Sequence, residues 1–150
     1  MLAEVAEAAT RSYIATPDRL ADIDAWIEQA GGAWRLSEDV VFRARVCVAE
    51  VLANLLEHGR SRPDGDDIRI TLRAFPPALG LEIHDSGRPF DPTARAAAAA
   101  AAPASHALGG RGLRLLGAYA SDMTYRRAGR WNVLSLRVTP AMRPVHGAPA

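Results

Sequence analysis

The chain has 150 residues and a formal net charge of +1, and all 18 of its Lys-plus-Arg cations are arginine. Hydrophobic residues at 49% and charged residues at 23% exclude wholesale disorder, and the length suits one domain that buries roughly two thirds of the surface its unfolded form exposes. The near-neutral balance gives no reason to expect nucleic acid or a membrane surface as the main partner, and any basic catalytic group must be arginine or histidine.

The opening residues through "RSYIA" suit an edge strand of imperfect alternation. The same N-terminus has acids where a secretory signal would have a basic and then an apolar region, and no apolar run approaches a membrane span, so the expected compartment is the cytoplasm. "TPDRLADIDAWIEQAGG" predicts a helix with Thr16 as N-cap, Pro17 at the first helical position, a stripe of Leu20, Ile23, Trp26 and Ile27, and Gly31 as stop. "LSEDVVFRARVCVAEVLANLLEHG" predicts a longer second helix, with Ser37 as N-cap, Glu38 and Asp39 at the positive end of the dipole, and Gly59 at its close. Cys47, the one cysteine, rules out an internal disulfide and reads as small core filler.

After a polar turn, "IRITLRAF" alternates so that Ile68, Ile70, Leu72 and Ala74 share one face and Arg69, Thr71 and Arg73 the other. "LGLEIHDSG" follows a Pro-Pro turn as a second strand, and a hairpin is the economical way to join the two. "RPFDPTARAAAAAAAPASHALGG" holds an alanine tract of high helix propensity but no apolar period, and is expected to be a mobile segment able to turn helical. "GGRGLRLLGAYA" predicts a third helix, and "MTYRRAGRWNVLSLRV" a hairpin turning near Gly129. The expected fold is α+β: a two-layer sandwich with a mixed, mainly antiparallel sheet, helices on one face and water on the other. One domain is expected over residues 1–140, with a loose tail over 141–150.

Three stretches stand out as chemistry. On a helical wheel of about 100° per residue, Val41, Ala44, Val48, Val51, Leu52 and Leu55 fall on one side of the second helix. Arg43, Cys47, Glu50, Asn54, Glu57 and His58 fall on the other, with Glu50, Asn54 and His58 at four-residue steps. Taken alone, that row reads equally as the solvated side of an amphipathic helix, although Asn54 is a mediocre helix former. In "HDSGRPFDP", Asp85 is in phase with Leu81 and Ile83, which directs a carboxylate to the helix-covered face, where it needs a partner. Gly87 allows close approach of a backbone or ligand, and a simple Asp-Ser-Gly turn is the alternative. In "GGRGLRLL", glycines at a helix start offer free N–H groups to a phosphate, or else form a hinge; the run is neither a Walker loop nor a dinucleotide fingerprint.

In this order and spacing the three stretches resemble the Bergerat-type (GHKL) ATP-binding domains of gyrase-type topoisomerases, heat-shock chaperones, mismatch-repair proteins and sensor histidine kinases. "AEVLANLLEHG", "DSGRPFDP" and "GGRGLRLL" are similar in particular to the anti-sigma-factor serine/threonine kinases of bacterial partner-switching systems. The resemblance implies that Asn54 coordinates Mg²⁺ on the ATP phosphates and that Glu50 is the general base. It implies that Asp85 accepts the adenine amino group, that Gly87 lets the purine approach, and that Gly109, Gly110 and Gly112 donate N–H groups to the phosphates. Arg111 and Leu113 complete that glycine run, Arg111 and His58 are the nearby cationic candidates, and the loop from Arg88 to Leu108 is the lid. The implied partners are an anti-sigma-factor antagonist and a sigma factor, with a homodimer as the implied assembly.

Two departures from the family pattern are Leu55, where a smaller residue is usual, and a lid made of alanines. The alanine lid motivates a second reading, a non-catalytic nucleotide-binding adaptor that sequesters a sigma factor or another regulator. A self-phosphorylating histidine kinase would need a dimeric helical hairpin for which the predicted elements leave no room. Arg69, Arg73 and Arg137 on the wet sheet face offer a third, arginine-mediated partner surface, or simply a solvated one.

Overall fold

The structure, a computed structural model, describes residues 4–94 and 111–142, with the backbone alone for 111–113. In chain order it contains β1 (Glu7–Ile14), α1 (Arg19–Ala33), α2 (Glu38–Asn54) continued by a π-helical turn (Leu55–Gly59), β2 (Asp67–Phe75) and β3 (Ala78–Asp85). Then come α3 (Arg111–Tyr119), β4 (Ala120–Ala128) and β5 (Trp131–Val138). The described strands form a five-stranded sheet in the order β1-β2-β3-β5-β4. Each neighbouring pair is antiparallel, so the sheet is uniform where a mixed one was expected. The predicted hairpins form as β2-β3 and β4-β5, the latter turning at Gly129 with φ 58°. The expected tail lies mostly in residues 143–150, outside the described residues.

Alternation sorts the sheet's two faces. Ile68, Ile70, Leu72 and Ala74 of β2 are buried, as are Leu79, Leu81 and Ile83 of β3 and Leu134, Leu136 and Val138 of β5. Against them α1 places Ile23, Trp26 and Ile27, α2 places Val40, Ala44, Val48 and Leu52, and α3 places Leu116. Each fully buried Leu, Ile or Val contributes about 1.5–3 kcal/mol relative to exposure, so this layer contact is the main source of stability. Cys47 belongs to the same core, because α3 packs along that flank of α2; desolvation pushes its thiol up to about 12, far from nucleophilic use at neutral pH.

Helix boundaries show where local signals compete. Ser37 caps α2 as predicted, its Oγ accepting from Val40 N at 3.3 Å. In α1 the cap position is Asp18, not Thr16, and the chain enters through a tight turn in which Thr16 O accepts from Arg19 N at 3.0 Å. Gly31 does not stop the helix. Leu36 N donates to Gly31 O at 3.0 Å and Arg35 N to Gly32 O at 3.1 Å, a Schellman closure whose left-handed residue is Arg35 at φ 55°. Gly31 instead permits close packing of α1 on α2, since a Cβ there would run into Val41 Cγ2. The two helices are also clamped by Arg45, whose Nε and Nη2 donate to Asp24 at 2.8 and 2.6 Å.

Candidate functional site

Three elements converge at one end of the sandwich: the C-terminal turn of α2, the end of β3 and the start of β5. Between them lies a cavity of about 30 Å³, lined among the described residues by Val51, Asn54, Leu55, Gly59, Asp85, Arg88, Phe90, Pro92, Tyr125, Asn132 and Leu134. That volume admits about two water molecules.

Asp85 ends β3 on the core face, as its phase predicts, and lies opposite Asn132 of β5. Its Oδ1 accepts from Asn132 Nδ2 at 2.8 Å and from Gly87 N at 3.0 Å. Burial raises its pKa, and the nearby Asp66 carboxylate adds to the rise; the bonds from Asn132 and Gly87 and the charge of Arg127 oppose it. Asn54, at the last turn of α2, has a buried Nδ2 with no hydrogen-bond partner among the described residues. An orphaned amide in a cavity wall is an unmet polar function of the kind a ligand satisfies. Glu50, one helical turn earlier, is half-buried and does not line the cavity.

Gly87 is buried for a reason internal to the chain. A Cβ on it would come 2.5 Å from Gly59 O and 2.7 Å from Leu55 Cδ1. The next residue, Arg88, donates its N–H to the same Gly59 O at 2.7 Å, so the Asp-Ser-Gly turn is stitched to the π-helical turn. Ser61 Oγ adds a second stitch, donating to Asp66 Oδ1 at 2.5 Å and lying 3.2 Å from Ser86 O. The side of Gly87 on which a Cβ would stand is thus occupied by Leu55 and Gly59.

His58 lies in the π-helical turn that continues α2 after Asn54. It is exposed, 3.7 Å from Glu57, and stacks on Phe90 with ring centroids 6.4 Å apart, outside the cavity lining. Arg111 opens α3, with Gly112 and Leu113 in the first turn; Gly109, Gly110 and most of the expected lid lie outside the described residues.

Asn132, Tyr125 and Arg127 escaped the sequence reading. Asn132 is 4% exposed and fully bonded: Nδ2 also donates to Arg88 O at 2.8 Å, while Oδ1 accepts from Tyr125 Oη at 2.6 Å and Arg127 Nη1 at 3.1 Å. Arg127 Nη1 reaches Gly87 O as well, at 2.9 Å. A signal was present, because Asn132 is in phase with buried Leu134 and Leu136 just as Asp85 is with Leu81 and Ile83. Among the described residues no group of three His, Cys, Asp or Glu side chains could hold a metal ion by protein alone. The unpartnered atom of Asn54 is the donor Nδ2, which suits an acceptor such as a phosphate oxygen; its amide oxygen is the atom that would suit Mg²⁺, an ion that keeps several waters and binds mainly through substrate phosphates.

A half-buried carboxylate and an unpartnered amide lining one cavity, with a glycine-flanked helix start downstream, coincide with a family match. Residues 13–138 fit the family model described as a histidine kinase-like ATPase domain. The chain belongs to that family. It is 31% identical over 116 residues to the serine/threonine-protein kinase BtrW of Bordetella bronchiseptica, an alignment covering 74% of this chain and 79% of BtrW. Among solved structures it is similar to the RsbU and RsbW domains of Rv1364c from Mycobacterium tuberculosis, with a TM-score of 0.60 and 14% identity. That likeness covers 89% of this chain but 32% of the larger protein, and it bears on the fold alone. No helix among the described residues is long and apolar enough to cross a membrane.

Proposed function

We propose that the cavity between α2, β3 and β5 is the base end of an ATP site, and that the chain is an ATP-dependent protein serine/threonine kinase of a partner-switching system. Its substrate would be an anti-sigma-factor antagonist, and in the antagonist's absence it would hold a sigma factor. The observation that carries this reading is Asp85, a half-buried carboxylate whose donors among the described residues engage one oxygen, lining the same cavity as an Asn54 amide with an unmet donor. Similarity to a protein named as a serine/threonine kinase supports the reaction type.

In this reading the free oxygen of Asp85 accepts the adenine amino group, and Val51, Leu55 and Leu134 give the base apolar walls. Asn54 would turn its amide oxygen toward the phosphates and hold Mg²⁺, which when bound offsets their negative charge. Glu50 takes the proton from the attacking serine or threonine hydroxyl as its oxygen bonds to the γ-phosphorus, and ADP leaves. Backbone N–H groups of Gly109, Gly110 and Gly112 would cradle the phosphates, with Arg111 and Leu113 in the same run. Loop 88–108 would close over them. Arg111 would be the cation for transferred charge, with His58, stacked on the cavity-lining Phe90, as the second candidate.

The test is transfer of labelled γ-phosphate to the antagonist protein of the same system. Glu50→Gln should lower the rate by about 100-fold or more with ATP affinity within twofold of wild type. Unchanged transfer would remove the assigned base. The adaptor reading draws on the alanine-rich lid, "TARAAAAAAAPAS", which lacks the usual mixture of polar residues for the phosphates. It predicts ATP binding with neither turnover nor transfer in the wild type.

A further inference from the structure

We infer that Asn132 is a positioning residue that fixes the Asp85 carboxylate as a one-sided acceptor, giving the cavity its preference for a 6-aminopurine over a 6-oxopurine. This inference rests on the nucleotide reading above and adds to it the residue that sets base selectivity.

The bonding around Asn132 decides its orientation without ambiguity. Its Nδ2 faces two groups that can only accept at that distance, Asp85 Oδ1 and the Arg88 carbonyl, both at 2.8 Å. Its Oδ1 faces two donors, Tyr125 Oη at 2.6 Å and Arg127 Nη1 at 3.1 Å. A flipped amide would set acceptor against acceptor at Asp85 and at the Arg88 carbonyl and donor against donor at Arg127, with only the Tyr125 hydroxyl able to adapt. Asn132 therefore presents an N–H to Asp85, and β4 holds it in that sense.

The consequence falls on Asp85. Its Oδ1 already accepts from Asn132 and from Gly87 N, so a proton placed there would have no room. Oδ2, the other oxygen of a carboxyl that lines the cavity, is left for a ligand and acts as an acceptor while the group is ionised. An exocyclic amino group meets it as a donor. A ring carbonyl at the same position would meet it oxygen to oxygen, and a site built on a buried hydrogen bond rejects the analogue that cannot make it.

The experiment is calorimetric titration of the full chain with ATP and with inosine triphosphate, which replaces the amino group by a carbonyl. Wild type should favour ATP by about tenfold or more. Asn132→Leu keeps the approximate volume and removes the amide, and should narrow the ATP-to-inosine preference by about tenfold. Tyr125→Phe removes only the hydroxyl that holds Asn132, and should narrow it about two- to threefold. It decides the matter if Asn132→Leu does not fold. A purely structural role would weaken both nucleotides together and leave the ratio intact, so an unchanged ratio in the folded variants overturns the inference while the nucleotide reading stands. A wild type that binds neither nucleotide overturns both.

Discussion

Glu82 and Asp85 stand three residues apart on β3, one on each face of the sheet, and their surroundings push them in opposite directions. Glu82 lies on the open face, 2.8 Å from His84 Nε2 and 3.7 Å from Arg73, and these partners hold its pKa below the ordinary carboxylate value. Around it the face is self-satisfied. Arg137 stacks over Phe75 at 4.8 Å, and Arg69 and Arg130 stack over Trp131 at 5.7 and 4.5 Å. Asp85 lies on the covered face, where burial outweighs its donors and raises its pKa. The charge on the open face is matched by this chain's own groups, whereas the half-buried one is matched, among the described residues, on one oxygen only. The incompletely matched carboxylate is the one that reads as a site.

The largest expected break of this comparison is Gly87→Ala. Its methyl group would collide with Gly59 O and Leu55, displacing the turn whose N–H holds Asp85. Overpacking of this kind costs about 1–3 kcal/mol, read as a lower urea midpoint, and ATP affinity should fall with it. The equivalent change on the open hairpin, Gly129→Ala, meets no atom within 4 Å but a positive φ of 58°, so it should act through backbone strain and leave ATP affinity alone.

Acid titration sharpens the contrast. Because the folded-state pKa of Asp85 is raised, the fold gains stability from this group as pH falls through that value, and the gain levels off below the unfolded one. ATP affinity should decline over the same window, above the ordinary carboxylate range, as the acceptor takes a proton. Glu82 runs the other way. Its stabilisation is full above its unfolded value and is lost as pH falls through a depressed folded one. In Asp85→Asn the higher window should vanish from both stability and affinity; a window that persists would mean that another group carries it. The smallest effect belongs to Glu82→Gln, which should alter stability by less than about 1 kcal/mol, as for a partly exposed ion pair, with ATP affinity unchanged.

Much of this was legible in the residues. Period-two alternation located β2 and β3, Ser37 marked the start of α2, and the phase of Asp85 placed it on the covered face. The misses share a cause, which is that they depend on partners distant in sequence. Gly31 reads locally as a stop, yet it is needed where Val41 crosses it, and Arg35 takes the left-handed position instead. The Asp85–Asn132 pair spans 47 residues and exists through the β3-β5 register, although the phase of Asn132 alone marked it as a buried polar group.

The most direct test of the central claim is calorimetric titration of the wild type with ATP, with and without Mg²⁺, beside Asp85→Asn and Asn54→Ala. The predicted result is binding that weakens at least about tenfold in Asp85→Asn, and that loses its Mg²⁺ dependence in Asn54→Ala while both variants stay folded. ATP binding of equal strength in the wild type and Asp85→Asn would contradict the placement of the base at Asp85.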